Sequence, residues 1–179
     1  MRIIAGSRKG AHIVAPRGAE TRPTGDRVRE AAFSLIGPVD DMAVLDLFAG
    51  SGAMGLEALS RGAARAVFVE ADREACRTID RNLGKLRLTG ATVLCTDATR
   101  ALAAEASAGR RYDLVLVDPP YDMFASLQTS LASYLPAVLA RDGLAVVETA
   151  ARAEPDLPPL ARRTSRRYGA ARLTLFEHE

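Results

Sequence analysis

Asp46-Leu47-Phe48-Ala49-Gly50-Ser51-Gly52-Ala53-Met54-Gly55 follows a short apolar run that begins at Ala43 and leads into a helical stretch at about Met54 to Ser60. Glycines between a strand and a helix let the backbone turn tightly and approach a ligand, with the helix N-terminus just behind. Gly50, Gly52 and Gly55 satisfy the G-x-G-x-x-G pattern, which alone also admits a nicotinamide or flavin enzyme. Carboxylates shift the balance. Asp46, four residues before the first glycine, can meet the ammonium of a methionine moiety, whereas it would repel a pyrophosphate. Glu70 ends the next strand, where it can accept from both ribose hydroxyls of either cofactor. Asp97, ending the third strand, can accept from an adenine amino group. The expected cofactor is S-adenosylmethionine, with Asp46, Phe48, Gly50, Ser51, Gly52, Glu70, Asp97 and Ala98 around it and no metal.

Outward from this loop, short apolar strands alternate with helical stretches. AVFVE (66–70) leads to a helix over 73–86, ATVLCTD (91–97) to a helix over about 99–106, and YDLVLVD (112–118) to a helix over about 127–139 and then LAVVET (144–149). Five strands with crossover helices predict an α/β, Rossmann-like domain with a mainly parallel sheet and helices on both faces. ARRTSRRYG and ARLTLFEHE leave no room for a helix between them, so a terminal hairpin on the sheet edge is expected. EPDLPP (154–159) reads as a loop. At the other end, RIIAG and HIVAP flank a Ser-Arg-Lys-Gly turn and read as a β-hairpin appendage. The expected organisation is therefore an extension over residues 1–20 and one Rossmann-like domain over 21–179. A helix is predicted from DRVREAAFSLI, with Asp26 as its N-cap.

The fourth strand ends in Asp118-Pro119-Pro120-Tyr121, the most specific signal in the chain. The amino group of a nucleobase is a poor nucleophile because its lone pair is delocalised into the ring. Asp118 and the carbonyl of Pro119 can accept its two N–H bonds, align the nitrogen and stabilise the positive charge that develops there. Pro119 and Pro120 stiffen the backbone, and Tyr121 offers a flat face to a base turned out of its stack. These four are the expected catalytic residues.

The 179 residues are 48% hydrophobic and 26% charged, as in an ordinary single soluble domain. No apolar run approaches the ~18 residues of a membrane span, and the N-terminus lacks the apolar stretch of a signal peptide, so a cytoplasmic location without membrane attachment is expected. Cys76 and Cys95 are far apart in sequence and are read as reduced structural residues. Net charge is only +2, but it is unevenly spread: seven cations against three carboxylates between Met1 and Glu30 give that segment +4. Arg2, Arg8, Lys9, Arg22, Arg27 and Arg29 are candidate contacts to a nucleic-acid backbone, although Arg27 and Arg29 could instead close the cofactor pocket.

Read from the residues alone, the acceptor stays open among a base amine in RNA, adenine N6 in DNA and a protein glutamine. A nicotinamide-dependent oxidoreductase is the rival from another class. RIIAGSRKG, RPTGDRVREAAFSLI, VLDLFAGSGAMGLEALSRGA, FVEADREA, DPPY and RRYGAARLTLFE together resemble the bacterial small-subunit ribosomal RNA guanine-N2-methyltransferases along nearly the whole chain. The resemblance implies a seven-stranded class I methyltransferase sheet with one antiparallel strand and S-adenosylmethionine as donor. It also implies the N2 amine of a guanine in 16S RNA as acceptor, reached by a monomer, within the assembling small subunit. In that family a second threonine usually stands where this chain has Gly25, so a hydrogen bond from that side chain is missing here.

Overall fold

The computed structural model describes residues 1–16 and 25–179; Arg22 lies outside the described residues. A seven-stranded sheet forms from β1 (Ala43–Leu47), β2 (Arg65–Glu70), β3 (Ala91–Cys95), β4 (Tyr112–Val117), β5 (Leu139–Ala150), β6 (Ala161–Tyr168) and β7 (Ala171–Glu177). Its order is β3-β2-β1-β4-β5-β7-β6. Every pairing from β3 to β5 is parallel, and β7 runs antiparallel to both neighbours. The expected edge hairpin thus inserts its second strand next to β5 and leaves β6 outermost. Arginines at 162, 163, 166 and 167 on this exposed rim oppose edge-to-edge pairing.

Alternation along the strands splits the core into two layers, because successive side chains point to opposite sheet faces. Val44, Phe68, Leu116 and Val146 face a layer completed by α1 (Gly25–Ile36), α2 (Ala53–Ser60) and α3 (Arg73–Leu86). Leu45, Val69, Val117 and Val147 face the layer under α4 (Ala98–Ser107) and α5 (Phe124–Val138). α5 starts earlier than its apolar spacing suggested, because Phe124 is already buried. β5 is longer than LAVVET: Leu139 pairs with Tyr112 before an irregularity, so Arg141, Asp142 and Gly143 are carried within the strand. Asp26 lies inside the first turn of α1 and pairs with Arg29 at 3.0 Å instead of capping the helix.

In the N-terminal segment two short arms run antiparallel around a 3-10 turn at Gly6–Arg8: Arg2 bridges His12, and the N–H groups of Ile3, Gly10 and Ile13 donate to the carbonyls of Ala11, Ile3 and Met1, without either arm forming a regular strand. Ile3 and Ile13 are buried in the same layer as α1 and α2. Gly6, at φ +81°, lies so close to the carbonyl of Ser60 that a Cβ would sit 1.8 Å from its oxygen. The segment is fastened by Glu57 of α2, which is fully buried. Its carboxylate accepts from the backbone N–H of Ile4 at 2.8 Å and Ala5 at 2.9 Å and from Arg61 Nε at 2.8 Å, and Arg29 Nε lies 3.5 Å away. The Arg61 guanidinium also stacks on Phe33 of α1, 4.6 Å from the ring centre.

Replacing one member of such a buried network strands the others without partners, at a typical cost of about 3–5 kcal/mol. Glu57→Leu should therefore lower the free energy of unfolding by about that amount, as measured by urea denaturation, and Glu57→Gln by less. A Glu57→Leu protein as stable as the parent would show that the network holds nothing together.

Candidate active site

The sheet order reverses between β1 and β4, and open α/β sheets bind ligands in the crevice beyond the carboxyl ends of the strands at such a point. A cleft of about 560 Å³ lies there. Each strand supplies a part of its wall: Phe48, Gly50 and Ser51 after β1, Glu70 at the end of β2, Asp97 and Ala98 after β3, and Asp118, Pro119 and Pro120 after β4. A smaller cavity of about 200 Å³ shares Phe48, Gly50, Ser51 and Asp118 with this cleft and adds Asp46, Arg29 and Glu148.

The loop is braced by carboxylates. Glu70 Oε2 accepts from Gly50 N at 2.8 Å, and Oε1 from Asp72 N at 2.8 Å. Asp46 Oδ2 accepts from Gly55 N at 2.8 Å. Gly55 has no alternative here, since a Cβ would meet the Phe68 ring at 2.3 Å. Phe48 sits at φ +61°, a left-handed conformation that costs of order 1–3 kcal/mol for such a residue. Burial pushes the Asp46 carboxyl up to about 7; the Gly55 N–H pulls against this shift and nearby Glu70 adds to it. The folded chain thus favours the acid form. Its contribution to stability declines as pH rises from the ordinary carboxylate range through about 7.

Other expected residues divide by position. Asp97 caps α4, Oδ1 accepting from Arg100 N at 2.9 Å, and is exposed beside Ala98. Gly52, the residue preceding α2, has the Ile79 side chain close behind it. Tyr121 is half-buried and donates its hydroxyl to Glu148 Oε1 at 3.3 Å. Arg2, Lys9 and Arg27 line an outer groove of about 610 Å³ together with Asp26 and Glu30. Arg8 belongs elsewhere: its guanidinium donates to the carbonyls of Leu86 and Arg87, where a cation suits the C-terminal end of α3. Arg29 is only 3% exposed and donates to the Arg2 carbonyl and to Asp26, so it is not part of an RNA-facing surface.

Several residues of the site were not expected. Met1, Ala15 and Pro16 of the N-terminal segment and Gly25 at the start of α1 wall the larger cleft. No local motif marks Met1 or Ala15 as such; Glu57 holds residues 4 and 5, while Asn82 of α3 exchanges two hydrogen bonds with the backbone of Val14, at 2.8 and 2.9 Å, and so seats Ala15 at the cleft. Glu148 was read only as part of a strand. Cys76 and Cys95, distant in sequence, meet beside Glu70. Cys76 Sγ donates to the Glu70 carbonyl at 3.3 Å, and burial and the neighbouring Cys95 push its thiol up to about 12. Among the described residues, no three His, Cys, Asp or Glu side chains converge as a metal site requires, and no helix is long and apolar enough to cross a membrane.

The same architecture recurs in the yhhF protein of Escherichia coli, with a TM-score of 0.87 and 33% identity over 100% of this chain and 98% of that one. YlbH of Bacillus subtilis is 44% identical over 152 residues, 83% of this chain and 82% of that protein. Ribosomal RNA small subunit methyltransferase D of Escherichia coli K12 is 43% identical over 122 residues, which are 68% of this chain but 60% of that protein. The family model described as Conserved hypothetical protein 95 matches residues 1–177, and the chain belongs to that family.

Proposed function

We propose that this chain is an S-adenosylmethionine-dependent methyltransferase that modifies the N2 amine of one guanine in small-subunit ribosomal RNA. The observation that carries the reading is the convergence of Glu70, Asp97 and the Asp118-Pro119-Pro120 strand end on one cleft. The name of the Escherichia coli relative, an enzyme of small-subunit ribosomal RNA, supports the substrate. A cleft of about 560 Å³ falls within the usual range for a nucleoside-sized ligand, about 300–1,000 Å³. Its acceptors fit the cofactor: Glu70 for the ribose hydroxyls, Asp97 beside Ala98 for the adenine amine, and Asp46 in the adjoining cavity for the ammonium. When bound, S-adenosylmethionine supplies an electrophilic methyl group on a positively charged sulfur.

The chain's own residues do the rest. Asp118 and the Pro119 carbonyl hold the two amino hydrogens, which orients the nitrogen lone pair and offsets the charge that grows on it. Asp118 then stands next to the amine as the acceptor for the proton released on methylation. Met1, Ala15 and Pro16 add apolar surface to the cleft wall. Arg2, Lys9 and Arg27, on the outer groove, are placed to hold the RNA backbone while the target base enters. The enzyme works in the cytoplasm as a monomer on the assembling subunit, where the target is still unpaired and extrusion costs least.

Incubation of the enzyme and labelled cofactor with 16S RNA or subunits from a deletion strain should yield N2-methylguanosine at one position, read by mass spectrometry. N6-methyladenosine, methylated glutamine or label spread over many guanines would refute the substrate. Asp118→Ala should lower the single-turnover rate by about 100-fold or more while cofactor affinity stays within about tenfold; normal methyl transfer would remove Asp118 from the chemistry. Because the Asp46 carboxyl is largely neutral below about 7 and charged above it, cofactor affinity measured by calorimetry should rise up to about tenfold between pH 6 and 8. Asp46→Asn should flatten that profile. A parent profile that is already flat would mean that Asp46 does not meet the ammonium.

A further inference from the structure

One carboxylate of the site has no part in this chemistry. β4 and β5 run in register through Val117 and Val147, which sets Glu148 beside Asp118 at the next position of each strand. Residues two apart on a strand share a face. Asp118 therefore lies on the face of Leu116 and Glu148 on the face of Val146, and both of these belong to the core layer under α1 and α2. Asp118 and Glu148 line the same cavity of about 200 Å³. Glu148 is half-buried, and the Tyr121 hydroxyl donates to its Oε1 at 3.3 Å. A carboxylate offers about four acceptor sites, so it can hold a tyrosine hydroxyl and a ligand N–H together.

Two neighbouring carboxylates, Asp118 just past the end of β4 and Glu148 within β5, suit two adjacent donors. The edge of guanine presents N1–H next to its 2-amine, both donors. Adenine and cytosine present a ring acceptor next to their amines and would turn a lone pair toward the second carboxylate. On the reading that guanine N2 is the acceptor, we propose that Glu148 selects guanine by accepting its N1–H while Asp118 and the Pro119 carbonyl hold the amine. Tyr121 steadies the Glu148 carboxylate for that contact. The selection is by chemistry: a base that turns a ring acceptor toward the half-buried Glu148 gives up a charged hydrogen bond and sets lone pair against carboxylate.

The test uses 16S RNA ligated with 2,6-diaminopurine in place of the methylated guanine, because this base keeps the 2-amine but carries an acceptor at N1. For the parent enzyme, kcat/KM should fall at least about tenfold on the diaminopurine RNA, the range expected for one lost hydrogen bond to a charged group. Glu148→Gln replaces an acceptor oxygen with an NH2 donor. It should be slower on guanine RNA and faster on diaminopurine RNA than the parent, narrowing the preference at least about tenfold. Equal use of both RNAs by the parent enzyme overturns the proposal without any variant. So does a Glu148→Gln enzyme that slows on both by one factor, since that is what a purely supporting role for Tyr121 predicts. If the parent leaves guanine N2 unmethylated, the functional reading fails first; if it methylates guanine and the preference is unmoved, the selection by Glu148 alone fails.

Discussion

Two carboxylate-to-amide bonds hold the loop after β1 in the shape that makes a cleft possible: Glu70 to Gly50 N and Asp46 to Gly55 N, each 2.8 Å. They span the first turn of α2 and the reversal before it, where backbone N–H groups lack helical partners. They also draw two carboxylates to the place where a cationic, hydroxyl-bearing ligand would need them. Burial makes this costly for Asp46, whose carboxyl is pushed up to about 7. The strained backbone at Phe48 belongs to the same arrangement. A loop held this way has little left to reorganise when a ligand arrives, which is the condition for strong electrostatic recognition.

The second dependence runs from Glu57 to the chain start. A fully buried carboxylate on α2 binds two backbone N–H groups of residues 4 and 5 and lies within reach of Arg29 and Arg61. The segment that bears Arg2 and Lys9 is therefore fixed to the helix that begins at the cofactor loop. A separate tie holds the far arm: Asn82 of α3 binds the backbone of Val14 and the Ser51 carbonyl, which brings Ala15 and Pro16 to the cleft wall. The chain start thus borders both the outer groove, through Arg2 and Lys9, and the cleft, through Met1.

Much of this was legible in the sequence wherever the signal is local. Strand alternation, the glycine loop and the DPPY strand end mark the sheet, the switch point and most of the cleft, because each is written in consecutive residues. What the sequence hid is long-range. Arg8 and Arg29 look like their exposed neighbours Lys9 and Arg27, and only the packing of the N-terminal segment on α2 and α3 turns them inward. Ile3 and Ile13 read as hairpin residues, yet they belong to the main core. Glu148 carries no motif at all, and its place beside Asp118 is a matter of β4–β5 register. Asp97 shows a further limit, since a strand-end carboxylate before a helix serves as N-cap whether or not it also meets a ligand.

On the proposed function, the cleft at the β1–β4 switch point binds the methyl donor with its reactive end toward Asp118. A crystal structure of the chain with S-adenosylhomocysteine tests it most directly. The expected density has the ribose hydroxyls on Glu70, the adenine beside Asp97 and Ala98, and the sulfur facing the Asp118-Pro119 strand end. Density for the ligand in the outer groove lined by Arg2 and Arg27, or an orientation that buries the sulfur away from Asp118, would contradict it.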